Sequence, residues 1–249
     1  MPLTGNMPVG VPPRSRSLGY EIMRWAERYI VQPDGEDAGH PWKFTKEQLR
    51  FLLWLYAIDD NGRWVYRTAA LRRAKGWGKT PLLAAIAIIE FIGPARFSHW
   101  AAEGERCYTC GNRPHTGLQK HPVTKRVPLP LVQIAATSLD QTANTRDMIR
   151  GMLAESPAEH EYNLDIGKGI VQFKGGRPGR IEPVTSSSRG LEGARPTFVR
   201  PRQKRLCRGR TMSSSSATRC TTGLRATRVS TSGRPWTATS RRLRAPAVA

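Results

Sequence analysis

The chain has 249 residues and a formal charge of +21, with 40 Lys and Arg against 19 Asp and Glu, and thirteen of the basic residues but none of the acidic ones lie in residues 200–249. That length supports a sizeable hydrophobic core. Four cysteines are too few for a disulfide scaffold, no uncharged apolar run approaches the roughly 18 residues of a membrane span, and MPLTGNMPVGVPPRSR lacks the apolar stretch of a signal peptide, so a reducing, cytoplasmic setting is expected.

Residues 1–16 hold four prolines and read as a flexible arm. A first helix is expected from about Leu18 to Ile30, capped by Ser17, because Leu18, Ile22, Trp25, Ala26 and Tyr29 repeat at helical spacing. Thr45 and Gln48 form a T-x-x-Q capping box that opens a second helix carrying Leu49, Leu52, Leu53 and Tyr56, and Asp59-Asp60-Asn61-Gly62 stops it. Trp64 to Leu71 predicts a strand, RRAKGWGKT a loop, and PLLAAIAIIEFI a helix that is apolar nearly all round and therefore packed within a layered fold. Phe97 to Pro128 reads as irregular. Leu129 to Ala136 predicts a covered strand, and Ser138 with Gln141 a capping box for a helix running to about Ala154. Ile170 to Phe173 and Arg180 to Val184 predict short strands around KGGRPG. SSSRGLEGARP reads as a loop, and Pro196 to Val199 as the start of another buried strand. This alternation predicts an α/β fold with a mostly parallel sheet and flanking helices.

The sharpest motif is Arg73-Ala74-Lys75-Gly76-Trp77-Gly78-Lys79-Thr80, at a strand-to-helix junction. Gly78, Lys79 and Thr80 match the end of the G-x-x-x-x-G-K-[ST] phosphate loop, with Arg73 in place of the first glycine. Amides around Gly76–Thr80 and the positive end of the helix would face a phosphate. Lys79 would reach the β- and γ-phosphates, and the Thr80 hydroxyl would ligate Mg²⁺. ATP and Mg²⁺ are thus the expected cofactors.

Residues 1–100 and 129–199 resemble the N-terminal ATPase part of a tailed-phage terminase large subunit, a motor that packages viral DNA into the procapsid. The resemblance rests on Trp42-Lys43-Phe44-Thr45-Lys46-Glu47-Gln48, on the basic residues before Gly78-Lys79-Thr80, and on VQIAATSLDQTANT followed by IEPVTSSSRGLEGARPTFV. It implies an incomplete P-loop NTPase of the RecA/ASCE-like kind. Lys75 would be the family's basic loop residue, helped by Arg72 and Arg73, and Gln48 would contact adenine. It further implies double-stranded phage DNA, a portal and a small terminase subunit as partners, and the host cytoplasm as location. From the residues alone, Gln48 can equally serve only its capping box, Thr137 and Ser138 a loop and a cap, and Arg189 and Arg195 a γ-phosphate, DNA or solvent.

The resembled family closes an apolar strand with Asp-Glu. Here Pro196-Thr197-Phe198-Val199 is followed by Arg200-Pro201-Arg202-Gln203, and no acidic residue follows Glu192. Glu182 and Glu192 read as loop-borne. The nuclease domain of the family has no counterpart, and the catalytic residues stay unassigned. The abrupt change predicts a shifted reading frame or truncation after residue 199, and a catalytically defective chain. The domains are then 1–16 as the arm, 17–199 as a partial ATPase domain with an irregular insertion over 101–128, and 200–249 as a disordered Arg/Ser/Thr-rich tail.

Cys107, Cys110, His115 and His121 give C-x2-C-x4-H-x5-H, four ligands with which a zinc knuckle could fold. The Gly-, Pro- and Arg-rich setting speaks instead for an insertion without metal, and zinc is not an expected cofactor. Two other functions compete with the packaging motor: a nucleic-acid-binding protein with a basic tail, and another P-loop, helicase-like ATPase completed by a partner.

Overall fold

The expected stripe of Leu18, Ile22, Trp25, Ala26 and Tyr29 is buried along α1 (Gly19–Tyr29) in the structure, a computed structural model that describes residues 9–110, 113–136, 139–185, 198–200, 204–205 and 222–228. Ser17 acts one position before the cap proper, which is Leu18. Its hydroxyl accepts from the Gly19 amide at 3.0 Å and donates to the Leu53 carbonyl at 2.7 Å, tying α1 to the end of α2 (Lys46–Leu55). The Thr45 capping box is present in both directions: Gln48 N–H donates to the Thr45 hydroxyl at 3.3 Å, and Thr45 N–H donates to Gln48 Oε1 at 3.1 Å.

The first sheet strand starts later than the sequence suggests. β1 spans Thr68–Arg73, while Trp64 makes an isolated bridge to Ile58 and sets its ring 5.9 Å from that of Tyr56. The aromatic and β-branched run that looked like a strand is therefore spent on packing against the end of α2. α3 (Lys79–Ile92) buries every residue from Leu82 to Ile92 and touches α1, the sheet and α4 (Leu139–Leu153), which accounts for its all-round apolar character. Each fully buried Ile or Leu here contributes about 1.5–3 kcal/mol.

α3 carries a buried carboxylate. Glu90 is fully buried, accepts from the Tyr56 hydroxyl at 2.9 Å and pairs with Arg96 at 2.7 Å. Removing one partner of a buried pair strands the other's charge. Arg96→Met is therefore expected to destabilise the fold by about 3 kcal/mol, read as a lowered urea midpoint with unchanged slope.

Residues 101–128 are not irregular throughout. β2 (Arg96–Trp100) pairs antiparallel with β5 (Pro122–Lys125), and between them β3 (Arg106–Cys107) pairs antiparallel with β4 (Arg113–Pro114). Strands of two residues carry no readable periodicity.

The large sheet contains β6 (Leu131–Ala136), β7 (Leu164–Ile166), β8 (Val171–Phe173), β9 (Arg180–Thr185), β10 (Phe198–Arg200), β11 (Lys204–Arg205) and β12 (Thr222–Arg228), with a short helix α5 (Pro157–Tyr162) before β7. Its order is β1-β12-β10-β6-β9-β8-β7, with β11 beside β12. Among the described residues only the β10–β6 and β6–β9 pairs are parallel, so the expected mostly parallel sheet is corrected to a mixed one. The reason lies in the connections: β7, β8 and β9 follow one another through short turns, which can join only antiparallel neighbours. The expectation of a tail without structure is corrected for Thr222–Arg228, which pairs antiparallel with both β1 and β10 and so satisfies backbone groups between them. The remainder of that tail, residues 201–203, 206–221 and 229–249, lies outside the described residues.

Because β1 and β10 are both antiparallel to β12, they run in the same sense, and β6 and β9 run with β10. The carboxyl ends of four strands, at Arg73, Arg200, Ala136 and Thr185, thus share one edge of the sheet, where open α/β sheets bind ligands. No helix of the described residues is long and apolar enough to cross a membrane.

Candidate functional site

The loop that leaves the carboxyl end of β1 enters α3 through two glycines in the left-handed region, Gly76 and Gly78, each at φ +86°. A side chain at either position would be strained. Nothing lies within 4 Å of a Cβ built on Gly76, whereas one on Gly78 would stand 3.0 Å from the Gln48 amide nitrogen. Among the described residues no side chain caps the α3 N-terminus, which leaves its first N–H groups for another acceptor.

Lys79 folds back over this loop. It is buried, and its ammonium donates to the carbonyls of Arg73 at 3.0 Å and Ala74 at 2.5 Å, while burial lowers its pKa from the ordinary 10.5. Lys75 and Gly76 are exposed, and Trp77, Gly78 and Thr80 are half-buried. The amides, the helix end and an ammonium converge on one small region, an arrangement suited to an anion.

The start of α2 holds the loop from the other side. Gln48 Nε2 donates to the Gly78 carbonyl at 3.5 Å. Glu47 accepts from the Trp77 indole at 2.6 Å and pairs with Arg73 at 3.4 Å, and the Arg73 guanidinium lies 5.6 Å from the Trp77 ring centre. Glu47 was not singled out in the sequence, although it belongs to the Trp42–Gln48 segment that was. Gln48 is committed to the capping box and to Gly78, so its amide is positioned by the loop whatever else it contacts.

Other sequence candidates separate. Glu182 is not loop-borne but sits within β9, with Gln133 donating to it at 3.0 Å and Arg180 pairing at 2.6 Å. Burial raises its pKa, but the bonds from Gln133 and Arg180 outweigh this and leave it lowered. Thr137, Ser138, Arg189, Glu192 and Arg195 lie outside the described residues.

Cys107, Cys110, His115 and His121, by contrast, come together. His121 Nδ1 lies 3.1 Å from the Cys110 sulfur and 3.8 Å from that of Cys107, and His115 Nδ1 lies 3.5 Å from the Cys110 sulfur. Burial pushes the Cys107 thiol up and the His121 imidazole down.

No protein-family model matches the chain. It is 36% identical over 202 residues to the Gene 13 protein of Mycobacterium phage L5, covering 74% of this chain and 31% of that protein. It is 34% identical over 207 residues to the Gene 13 protein of Mycobacterium phage D29, covering 76% of this chain and 32% of that protein. The chain therefore spans about a third of the length of these curated relatives. Among solved structures it is similar to the crystal structure of the HK97 bacteriophage large terminase, with 17% identity and a TM-score of 0.49, over 73% of this chain and 30% of that one. Both sequence relatives are phage proteins.

Proposed function

We propose that this chain binds Mg·ATP at the Arg73–Thr80 loop as the N-terminal ATPase part of a phage large terminase, the motor subunit that drives double-stranded DNA into a procapsid. On this reading it is a RecA/ASCE-like P-loop domain that works in the host cytoplasm with a portal and a small terminase subunit. The observation that carries it is the loop itself: Gly76 and Gly78 in the left-handed region, an uncapped α3 N-terminus, and the Lys79 ammonium held on the loop carbonyls at the carboxyl edge of the sheet. This set fits a polyphosphate. Lys79 and the loop amides would neutralise its charge, Thr80 would ligate the magnesium, and Lys75 would supply a further cation from the exposed rim. Bound Mg²⁺ would screen the phosphate oxygens against an attacking nucleophile's charge. Gln48 would meet adenine through the amide proton that the Gly78 carbonyl leaves free.

A second reading, a nucleic-acid-binding module, draws support from a cleft of about 580 Å³ whose lining sets Arg24, Arg28, Arg106, Lys125 and Arg126 against two carboxylates, Glu21 and Glu161, an excess of cations suited to a phosphate backbone. Calorimetric titration of the 249-residue chain separates the two. Binding of Mg·ATP and Mg·ADP, with none of AMP, is the expected result, because the loop grips the β-phosphate. Salt-sensitive DNA binding without any nucleotide binding would overturn the ATPase reading in favour of the second.

A further inference from the structure

From β2 to the end of β5 the insertion has almost no apolar interior. From residue 101 to 125 the described buried side chains are Cys107, Thr109, His115, His121 and Pro122. Two strands of two residues each cannot hold a hairpin by backbone pairing. What the segment does gather at its centre is two sulfurs and two imidazoles.

We infer that Cys107, Cys110, His115 and His121 form a structural Zn²⁺ site. Cys107 ends β3, Cys110 ends the 3-10 turn Tyr108–Cys110 that follows it, His115 follows β4 and His121 precedes β5, so one ion would clamp every element of the insertion. The ligand atoms of Cys107, Cys110 and His121 all lie within 4.8 Å of one another. A tetrahedral zinc with bonds of about 2.3 Å to sulfur and 2.0–2.1 Å to nitrogen sets each S···N separation at about 3.6 Å. The three observed separations, 3.1, 3.5 and 3.8 Å, straddle that value. The two imidazole rings stand with centres 4.9 Å apart, close enough to share one ion without stacking face to face.

The bonding of His121 points the same way. Its Nδ1 edge faces both sulfurs, at 3.1 Å from Cys110 and 3.8 Å from Cys107, and its buried Nε2 has no hydrogen-bond partner among the described residues, so the sulfur side is where the ring makes its polar contacts. Both cysteines are free thiols, and two thiolates with two neutral imidazoles would leave the zinc site uncharged overall. The ion is closed in by four protein ligands, which marks a structural rather than a catalytic centre. Its effect would be to fix the insertion against α1, which the Tyr108–Cys110 turn touches. The site owes nothing to the nucleotide reading, and Lys79→Ala should leave it intact.

The test is metal analysis of the full chain, purified without a histidine tag from zinc-supplemented culture. One zinc per chain is expected by mass spectrometry, and replacement by Co²⁺ should give the visible d–d bands of a tetrahedral S₂N₂ site. Chelation should lower the thermal midpoint of the folded chain. Cys110→Ser should lose the metal, whereas Cys207→Ser and Cys220→Ser should keep it. If Cys110→Ser fails to fold, His121→Cys serves instead, since it should retain cobalt while strengthening the sulfur-to-metal charge-transfer band. A folded wild-type chain without stoichiometric zinc, a Cys107–Cys110 disulfide under reducing purification, or metal that depends on the tail cysteines would each overturn the site.

Discussion

Lys79→Ala is expected to weaken Mg·ATP binding at least ~100-fold while leaving the fold in place. Among the described residues the ammonium is the one buried cation of the loop, where it donates to the Arg73 and Ala74 carbonyls. A polyphosphate would take over those donor positions. Each charge-assisted bond contributes about 1.5–3 kcal/mol, so losing two costs at least ~100-fold in affinity. The fold should tolerate the change for two reasons. Arg73 and Ala74 are exposed, so their freed carbonyls turn to water. Lys79 is also buried at a cost, which the shorter side chain removes. Calorimetry with Mg·ATP, beside a thermal melt of both proteins, checks the two halves together. Equal affinity in the variant and the parent would remove Lys79, and with it the loop, from nucleotide binding.

Local rules make much of this loop legible in the sequence. The Thr45–Gln48 box, the all-apolar α3 and the strand-to-helix junction follow from hydrogen-bond satisfaction and burial within a few residues, and all three are present. What was illegible depends on contacts far apart in the chain. Trp64 reads as strand because it is aromatic beside Val65, yet Ile58 and Tyr56 claim it. Val171 and Ile181 read as buried strand residues but carry no mark of direction, and the antiparallel β8–β9 pair is set by the intervening turn. Glu182 reads as loop-borne, although the strand expected over Arg180–Val184 contains it, and nothing local shows that Gln133, 49 residues away, lies opposite it. The Cys/His cluster is the sharpest case. Its C-x2-C-x4-H-x5-H spacing is visible in the sequence, but that Cys107, Cys110, His115 and His121 come together depends on the β2–β5 and β3–β4 pairings, which neither spacing nor a Gly-, Pro- and Arg-rich composition reports.

Placing a carboxylate pair at the end of β10, as Arg200→Asp with Pro201→Glu, is expected to raise ATP turnover ~10²–10⁴-fold over the unmodified chain, the usual contribution of a positioned general base. Binding a nucleotide and cleaving it are separate tasks. The loop offers charge neutralisation, but hydrolysis also needs an acidic residue to hold the water shell of Mg²⁺ and a neighbour to orient the attacking water. The sequence carries no Asp or Glu from residue 193 onward. β10 is nonetheless in the right place for one: it runs in the same sense as β1, is parallel to β6, and ends at Arg200 on the edge from which the Arg73–Thr80 loop departs. Glu182 cannot substitute, because it lies mid-strand in β9 and is already engaged by Gln133 and Arg180. The parent should therefore bind Mg·ATP yet turn it over slowly, with no stimulation by DNA, and the double variant should gain turnover that Lys79→Ala abolishes. A phosphate-release assay on the three proteins decides the matter. Robust, Lys79-dependent turnover by the unmodified chain would mean that a carboxylate already serves the site, and Glu47, bonded to Trp77 beside the loop, would be the first to replace.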